Sequence, residues 1–480
     1  MLATLLPGFA GTVLPTWLRD RLRAGLGGVC LFADNISSPE QLRALADAIT
    51  VENPYAIIAM DEEGGDVTRL FAATGAPFPG NAVLGRLDDL DTTRDTAAAI
   101  GWSLRRVGCT VNFAPCVDVN SRSDNPVIGV RSFSGEAEQV ARHGRAWVSG
   151  LQSTGVAATA KHFPGHGDTA EDSHVSLPVV NRSLDQLHRR ELLPFAAAIE
   201  AGCRVIMTSH ILVPQLDRNH PATMSRVVLH DLLRGELGFS GVIVSDALDM
   251  AGASGSVGMA GAAVAALRAG CDLLCLGTEN TDAELANIER AVTSAVADGT
   301  LSSGRVSEAT GRARALAEEL RAARRAAGPP PRSAPGWPGD EAELIRAFDV
   351  QPGAPSWRER ASGRYTVVGL EADPNIAIGT IPWGPFASEG FATQSECVLT
   401  PDRSALPHFQ RDQPVLVVGR DIHQHRFARD AVDLLRAQHV DVLVVDMGWP
   451  SADRRYADVA TFGASRSMGH ALLGWLAGTA

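Results

Sequence analysis

The sequence lacks several features that would place it in other classes of protein. Its 480 residues contain no run of about 20 apolar residues, the length that a membrane-spanning helix needs. They also contain no run of lysine and arginine, and the formal net charge is −12. This balance disfavours nucleic acid or an anionic membrane surface as a partner. It leaves an anionic small substrate open, because a binding site can be locally basic.

Paired cysteines and a leader segment are missing as well. The seven cysteines are scattered, their number is odd and none belongs to a CxxC pair, which is typical of buried thiols in a reducing compartment. Residues 1–20 lack a basic segment, a long apolar segment, a cleavage site and a lipid-attachment cysteine. We therefore expect these residues to begin the fold, and we expect a cytoplasmic protein.

The length predicts two domains, since one hydrophobic core rarely serves so long a chain. Residues 325–342, RAAGPPPRSAPGWPGDEA, contain five prolines and three glycines, which is typical of a linker. We predict a catalytic barrel domain over residues 1–325, a linker over 326–342 and a small α/β domain over 343–480. No internal repeat is present.

Short apolar runs alternate with amphipathic segments up to about residue 325. The runs are continuous, as in strands buried on both faces. This alternation predicts a (β/α)8 barrel. A doubly wound open sheet is the alternative, and it is less favoured because no glycine-rich phosphate loop follows the first strand. Seven runs are clear and an eighth strand fits ATLLPGF; the seven are GVCLFA (28–33), AIIAMD (56–61), TVNFAP (110–115), VAATAKHF (156–163), RVIMTSH (204–210), GVIVSDA (241–247) and DLLCLG (272–277).

Two helix starts carry capping signals. Ser38 precedes a proline and is followed three residues later by Gln41, and Ser183 is followed by Gln186 in the same way. Both pairs predict a capping box. After the linker, the segments YTVVGL (365–370), PVLVVGRDIHQH (414–425) and VDVLVVDMGWP (440–450), a helical stretch near 426–438 and a last helix in SMGHALLGWLAG (467–478) predict the small α/β domain.

Polar side chains stand where four of the predicted barrel strands end. In a barrel, the C-terminal ends of the strands surround one pocket. A single acid at a strand end is often only a helix cap, but five polar residues at these ends favour a functional site. The five are Asp61, Lys161, His162, His210 and Asp246.

The segment MDEEGGDVTRL adds an arginine to Asp61. Gly64 and Gly65 let the chain turn back closely, so that Arg69 can return toward the pocket. A carboxylate and a guanidinium suit a polyol ligand, because hydroxyl groups both donate and accept hydrogen bonds. Arg131 in VIGVRSF is a further candidate contact.

In FSGVIVSDALDM, Asp246 ends a strand and Asp249 is predicted in the following turn. A carboxylate at such a strand end can serve as nucleophile, base or metal ligand.

The stretch KHFPGHGDTAEDSHVSLP (161–178) is too rich in glycine and proline for a helix or strand, so we predict a loop. An aspartate two residues from a histidine, as in Asp172 and His174, can orient the ring and stabilise its imidazolium. Histidine titrates near neutrality, which suits a group that donates a proton and then takes one back. From spacing alone, His174 as a surface histidine and Asp172 as a cap remain an equal alternative.

These motifs resemble family 3 glycoside hydrolases, and within them the bacterial β-N-acetylglucosaminidases of the NagZ type. The resemblance spans most of residues 1–325 and rests on GVCLFADNI, MDEEGGDVTRL, NFAPCVDVN, KHFPGHGDTAEDSH, MTSHI and VIVSDALDM, which occur in family order. The loop motif that ends in DSH is the most specific of the six. The region after the linker resembles, weakly, the α/β domain that many family members carry.

The resemblance implies a retaining double displacement without cofactor or metal. Asp246 would attack the anomeric carbon, and His174, steadied by Asp172, would protonate the leaving oxygen and then activate water. Asp118 also matches a family position, with an expected structural role. The expected substrate is N-acetylglucosamine linked to N-acetylmuramic acid or its anhydro form in cell-wall fragments, and the second domain need not contribute to the chemistry. Sugar-binding positions that match are Asp61, Arg69, Arg131, Lys161 and His162.

Three other functions are compatible with these residues. A phosphorylase on the same scaffold is the main alternative, because a neutral histidine repels phosphate less than a glutamate would. A metal-dependent barrel hydrolase would use His162, His166, His210 and Asp246, but the only HxH, at residues 423–425, lies outside the predicted barrel. A sugar-binding protein without catalysis is the third.

Overall fold

The structure is a computed structural model that describes residues 1–480 except 170, 172–176, 256, 334, 374, 389, 392–394, 408, 410–412, 439–440 and 480. The chain divides into two compact units. The first contains Met1–Glu62, Thr93–Val119 and Gly135–Pro335, and the second contains Glu63–Thr92, Asn120–Ser134 and Gly336–Ala480. The second unit thus includes two stretches that precede the predicted linker. The domain bounds at 325 and 343 stay a prediction.

The first unit is an eight-stranded parallel barrel, which confirms the predicted fold class. Neighbouring strands pair in the order β1-β8-β7-β6-β5-β4-β3-β2. The N–H of Gly27 donates to the carbonyl of Leu2 and that of Cys30 to Pro7, both at 3.0 Å, so β1 and β2 are also joined. The strands are β1 (Leu5–Leu6), β2 (Gly28–Cys30), β3 (Ile57–Met60), β4 (Val111–Asn112), β5 (Ala157–Phe163), β6 (Val205–Thr208), β7 (Val242–Ser245) and β8 (Leu273–Cys275).

Burial explains why these strands could be recognised. Every residue of the eight strands is buried, so the strands read as continuous apolar runs and do not alternate. Side chains from several strands form one hydrophobic cluster, among them Leu6, Ile57, Val111, Val205 and Val244. The barrel interior is therefore a packed core.

Helices follow the strands around the first unit. They are α1 (Thr16–Arg23), α2 (Pro39–Glu52), α4 (Leu90–Arg106), α5 (Ala137–Ser153), α6 (Leu184–Arg189), α7 (Leu192–Glu200), a π-helix (Val227–Glu236), α8 (Ala251–Ser254), α9 (Gly258–Ala269), α10 (Asp282–Ala297) and α11 (Ser303–Ala326), with α3 (Asn81–Leu87) in the second unit. Among the described residues, no helix combines the length and the apolar character that crossing a membrane requires.

The two predicted capping boxes differ in outcome. Ser183 accepts from the N–H of Gln186 at 3.3 Å, and the Gln186 side chain accepts from the N–H of Ser183 at 3.0 Å, so this box is confirmed. Ser38 accepts from the N–H of Gln41 at 3.1 Å, but the Gln41 side chain accepts from Ser37 instead of Ser38. Gln41 also donates to the carbonyl of Thr12 at 2.7 Å, and this tertiary contact explains the difference.

The second unit contains a six-stranded mixed sheet, in the order β11-β10-β12-β13-β14-β9. Only β9 runs antiparallel to its neighbour. The strands are β9 (Asp349–Val350), β10 (Thr366–Leu370), β11 (Ser395–Leu399), β12 (Val415–Gly419), β13 (Val442–Asp446) and β14 (Val459–Ala460), and the helices of residues 336–480 are α12 (Glu341–Ile345), α13 (Gly353–Ala361), α14 (Arg426–Gln438) and α15 (Arg466–Ala477). This confirms the α/β domain expected after the linker.

The stretch Glu63–Thr92 shares the core of the second unit. Val83 on α3 lies in one buried cluster with Phe348, Trp357 and Leu472. Gly65 has φ +63°, and a Cβ atom there would lie 2.4 Å from the Cα of Gly80. The absence of side chains at Gly65 and Gly80 therefore allows the two backbone segments to approach closely. This is the tight turn that the sequence predicted after Asp61.

Candidate active site

The barrel places the predicted polar residues at the C-terminal ends of its strands. Asp61 directly follows β3, and Asp246 directly follows β7. Lys161 and His162 are the residues of β5 just before its last residue, Phe163. His210 lies two residues after the end of β6. The predicted positions at the strand ends are confirmed, and this end of a parallel barrel is where active sites are found.

Lys161 and Asp61 form an ion pair. The Lys161 Nζ donates to the Asp61 Oδ1 over 2.6 Å, and the two side chains are 2% and 20% exposed. A buried ammonium group is costly unless a carboxylate accompanies it, so the contact with Asp61 compensates the burial of Lys161. Asp61 is the accessible member of the pair.

Asp118 supports the end of β5 and the start of the following loop. Its Oδ2 accepts from the Nδ1–H of His162 at 2.6 Å, and its Oδ1 accepts from the backbone N–H of His166 at 2.6 Å. Burial raises the pKa of Asp118, but the two histidines outweigh it and hold the pKa at about 2. Asp118 is therefore an anion that fixes the ring of His162 and the first loop residues. The Lys161–His162 peptide bond is cis.

His166 is buried in the same loop. Its Nδ1 lies 2.8 Å from the hydroxyl of Thr169, and burial lowers its pKa to about 4. His166 is thus neutral near pH 7 and serves the internal structure of the loop. No pattern in the sequence around His166 indicates this burial.

His210 holds the chain beside Asp246. Its Nε2 donates to the carbonyl of Ala247 at 3.0 Å, and its Nδ1 lies 2.9 Å from the hydroxyl oxygen of Thr223. Since both ring nitrogens are engaged, His210 positions the residue that follows Asp246 and does not present a nitrogen to a ligand.

Asp246 is half-buried, and its Oδ1 accepts from the N–H of Ala247 at 2.8 Å. This places a carboxylate at the end of β7, where a nucleophile was predicted. Asp249 lies in the predicted turn, is exposed, and accepts from the N–H of Thr278 at 3.1 Å. Asp249 therefore supports the turn.

Arg69 and Arg131 lie in the second unit. Arg131 makes a forked pair with Glu63, from Nε to Oε2 at 3.0 Å and from Nη2 to Oε1 at 2.7 Å, and both side chains are buried. Arg69 donates from Nη2 to the carbonyl of Ala377 at 2.8 Å. The sequence did not identify Glu63 as a partner of Arg131. Nothing in the segment EEGG shows which of its acids pairs with an arginine 68 residues away. The sugar-binding roles of both arginines stay a prediction.

Two of the predicted catalytic residues, Asp172 and His174, lie outside the described residues. Their roles also stay a prediction.

One group of potential metal ligands occurs among the described residues. Cys116, Asp118 and His162 bring ligand atoms within 4.8 Å of one another, and all three are buried. The Sγ of Cys116 donates to Asp118 Oδ2 at 3.2 Å, so hydrogen bonds already account for this cluster. The set that includes His166, His210 and Asp246 forms no such group in the described part of the chain.

Comparison with known proteins adds to this geometry. The sequence model described as the glycosyl hydrolase family 3 N terminal domain matches residues 17–316. A β-hexosaminidase of Pseudomonas aeruginosa is 38% identical over 291 residues, which are 60% of this chain and 86% of that protein. β-Hexosaminidase A of Pseudoalteromonas piscicida is 41% identical over 287 residues, which are 55% of this chain and 48% of that protein. The chain therefore spans about half the length of the latter relative.

A solved structure extends the likeness over both units. A glycoside hydrolase family 3 β-N-acetylglucosaminidase from Paenibacillus sp. str. FPU-7 superposes with a TM-score of 0.84 at 29% identity. The match covers 99% of this chain and 95% of that one. The similarity thus includes residues 336–480, beyond the segment that the family model matches.

Proposed function

The chain belongs to glycosyl hydrolase family 3, and on that premise we propose that it is a retaining exo-β-N-acetylglucosaminidase that acts on peptidoglycan fragments. The observation that carries the proposal is the Asp246 carboxylate at the end of β7, in the barrel end that also holds Asp61, Lys161 and His162. The β-hexosaminidases and the β-N-acetylglucosaminidase that it resembles support this class of substrate.

In the first step, a carboxylate oxygen of Asp246 forms a bond to the anomeric carbon while the bond to the leaving oxygen breaks. The leaving oxygen takes a proton from the imidazolium of His174, whose ring is oriented by Asp172. This leaves a glycosyl ester on Asp246 and a neutral histidine. The backbone N–H of Ala247 donates to Asp246 Oδ1 and so helps to orient the nucleophile.

In the second step, the neutral His174 removes a proton from water as the water oxygen attacks the anomeric carbon. The ester bond breaks and its electron pair returns to Asp246. N-acetylglucosamine leaves with its original β configuration, because two inversions have occurred. The same histidine serves as acid and then as base, which requires a pKa near neutrality.

In this proposal, the sugar is bound by polar side chains whose orientation is already fixed by other residues. Asp61 accepts from sugar hydroxyls while Lys161, buried behind it, fixes its orientation. His162 is oriented by Asp118 through Nδ1, so its Nε2 edge faces away from that carboxylate. Arg69 and Arg131 complete the set on the strength of the family motifs. Such preorganised groups bind without a large loss of side-chain entropy.

A cytoplasmic location belongs to the same proposal. All seven cysteines are free thiols and six of them are buried, as expected for a protein that folds in a reducing compartment. Cell fractionation with an antibody against the chain tests this location.

Hydrolysis of 4-nitrophenyl N-acetyl-β-glucosaminide beside the plain β-glucoside tests the proposed function. We expect turnover of the first and at least about a hundredfold lower kcat/KM on the second, because polar groups built for the acetamido sugar are left unpaired. Product analysis in phosphate buffer should give free N-acetylglucosamine. Accumulation of the sugar 1-phosphate would establish the phosphorylase instead.

A further inference from the structure

A cavity of about 300 Å³ lies in the first unit, at the end of the barrel opposite the candidate active site. Its lining includes Ala56 and Ile57, where β3 begins, Thr110, just before β4, and the C-terminal part of α11. Asp61 follows the other end of β3, so the cavity is distinct from the candidate active site. Its volume is at the lower end of the range for small-molecule sites, about 300–1,000 Å³.

Three arginines of α11 line this cavity, namely Arg321, Arg324 and Arg325. No aspartate or glutamate is found among the described residues that line it. The formal net charge of the chain is −12, so the charge at the cavity has the opposite sign to that of the chain as a whole. A concave surface with positive charges of one sign attracts an anion.

The arginines earlier on α11 each have a carboxylate partner. The pairs are Arg305–Asp272, Arg312–Glu308 and Arg314–Glu318, at 2.5, 2.6 and 3.1 Å. By contrast, the three arginines at the cavity form no ion pair with any described residue. A helix C-terminus favours cations, which explains their place on α11 but not the lack of carboxylates beside them.

These arginines use few of their donors within the described part of the chain. The Nη1 of Arg321 donates to the carbonyl of Pro54 at 2.6 Å. The Nη1 of Arg324 donates to the carbonyl of Gly108 over a long 3.4 Å, and Arg325 makes no hydrogen bond to a described residue. Since a guanidinium group has five N–H donors, most of them are left for solvent or a ligand.

Arg324 is the arginine for which an anion would matter most. Its side chain is half-buried, whereas Arg321 and Arg325 are exposed. Burial and the nearby charge of Arg105 lower the pKa of Arg324 to about 10, so it is still charged near pH 7. A partly buried cation without a carboxylate is unfavourable, and a bound anion would compensate it.

The rest of the lining is suited to a small organic group. Ala317 and Leu320 of α11 are buried and give the cavity an apolar wall. Tyr55 is 42% exposed, and the Cζ of Arg321 lies 5.0 Å from the centre of its ring. The Tyr55 hydroxyl makes no hydrogen bond to a described residue, so it can donate to a ligand oxygen.

We propose that this cavity binds a small organic phosphate, with its phosphate group at Arg324 and Arg325 and its organic part against Ala317 and Leu320. The planar guanidinium fork matches the oxygens of phosphate, and several arginines at one place are typical of phosphate recognition. A phosphate monoester carries about −1.5 to −2 charges near pH 7, which suits three cations better than a single carboxylate does. The proposal does not depend on the reaction proposed for the candidate active site.

Isothermal titration calorimetry of the full chain tests the proposal with three probes at constant ionic strength. Phenyl phosphate carries both parts of the proposed ligand, inorganic phosphate carries only the anion, and phenol carries only the apolar part. We expect phenyl phosphate to bind with a Kd below about 1 mM. We expect inorganic phosphate to bind at least about threefold more weakly, and phenol to show no measurable binding.

Point variants assign the binding to this cavity. Arg324→Gln should raise the Kd of phenyl phosphate at least about tenfold, because it removes a charged donor from a half-buried position. Arg325→Gln should raise it about threefold, and this variant should fold normally because Arg325 is exposed. Arg290→Gln removes the same charge from an exposed position on α10 and should leave the Kd unchanged.

Three results would overturn the proposal. The first is no binding of phenyl phosphate by the wild type at millimolar concentration. The second is a Kd in Arg324→Gln and Arg325→Gln that equals the Kd in Arg290→Gln, since the anion would then bind elsewhere. The third is equal affinity for phenol and phenyl phosphate. Equal affinity for inorganic phosphate and phenyl phosphate would overturn the assignment of the apolar wall and make free phosphate the ligand.

Discussion

Lys161 donates a 2.6 Å hydrogen bond from Nζ to Oδ1 of Asp61, and this contact joins the C-terminal ends of β5 and β3. The ammonium group is almost fully buried, whereas the carboxylate is one-fifth exposed. The pair therefore has an inner member that fixes the geometry and an outer member that a ligand can reach. This arrangement is the clearest sign among the described residues that the barrel end is built for a polar ligand.

Asp61→Asn should weaken substrate binding without preventing folding. The amide cannot accept as strongly as the carboxylate, and Lys161 loses the charge that pairs with it. We expect kcat/KM on 4-nitrophenyl N-acetyl-β-glucosaminide to fall about tenfold to a hundredfold, mostly through KM. Asp47→Asn removes an exposed carboxylate from α2 and serves as the control. An unchanged KM in the Asp61→Asn enzyme would show that Asp61 does not bind the substrate.

His174→Ala should slow the second chemical step in a way that an added anion repairs. Without a base, water attacks the glycosyl ester slowly, but azide needs no deprotonation. We expect azide to raise kcat on the 2,4-dinitrophenyl substrate and to give the β-glycosyl azide, identified by NMR. The general acid/base contribution is typically about 10²–10⁴-fold. Absence of azide rescue, with an intact fold by circular dichroism, would argue that His174 does not act as the base.

Glu191 should make the stability of the protein depend on pH. Its side chain is buried, 1% exposed, and burial raises its pKa from 4.5 to about 7. The folded state thus holds the proton more tightly than the unfolded state, so the contribution of Glu191 to stability is largest below pH 4.5 and is lost as the pH rises to about 7. The loss amounts to roughly 3 kcal/mol at most, at about 1.4 kcal/mol per pKa unit.

Glu191→Gln removes this dependence, because the amide does not ionise. We expect urea unfolding to show the variant more stable than the wild type at pH 8 but not at pH 5. Glu200→Gln, at an exposed position nearby on α7, is the matched control. Identical pH dependence of the free energy of unfolding in wild type and Glu191→Gln would contradict a buried, protonated Glu191.

Shortening the chain after Arg325 should impair binding more than chemistry. Residues 63–92 and 120–134 share a compact unit with residues 336–480, which the cut would remove, so Val83 would lose most of its core. Arg69 would lose the carbonyl of Ala377. We expect KM to rise at least about tenfold, with a smaller change in turnover per active site titrated with a slow fluoro-sugar substrate.

A point variant tests the same idea without truncation. Asn375 accepts from the N–H of Ala377 at 2.8 Å and donates to the carbonyl of Pro126 at 2.5 Å. Asn375→Ala should therefore raise KM in the same direction but by less. A shortened chain with an unchanged KM would show that residues 326–480 are not needed for the sugar-binding role that we propose for Arg69 and Arg131.

The barrel could be predicted because its signals are local. Each strand is buried on both faces and reads as an apolar run, and the box at Ser183 needs only four residues. The polar strand ends, such as Asp61 and Asp246, were visible for the same reason. At Ser38 only the serine half of the predicted capping box forms. The Gln41 side chain instead contacts Thr12, which is distant in the sequence.

The family resemblance gave Asp118 an expected structural role, but the partners of the supporting residues could not be predicted, because these contacts join residues far apart in the sequence. Asp118 meets His162 across 44 positions, and Glu63 meets Arg131 across 68. Glu191 packs tightly against the chain just after the end of β5, where a Cβ atom on Gly165 would lie 2.8 Å from the Cβ of Glu191. Its burial follows from this close packing, which no local pattern encodes.

Trapping the covalent intermediate tests the central claim most directly. A 5-fluoro N-acetyl-β-glucosaminyl donor with a good leaving group slows both steps and should accumulate the glycosyl ester, because the leaving group keeps the first step faster than the second. Peptide mass spectrometry should then find the sugar on Asp246 in the wild type, and no adduct in Asp246→Asn. An adduct on any other residue, or hydrolysis with inversion and no adduct at all, would contradict Asp246 as the nucleophile of a retaining enzyme.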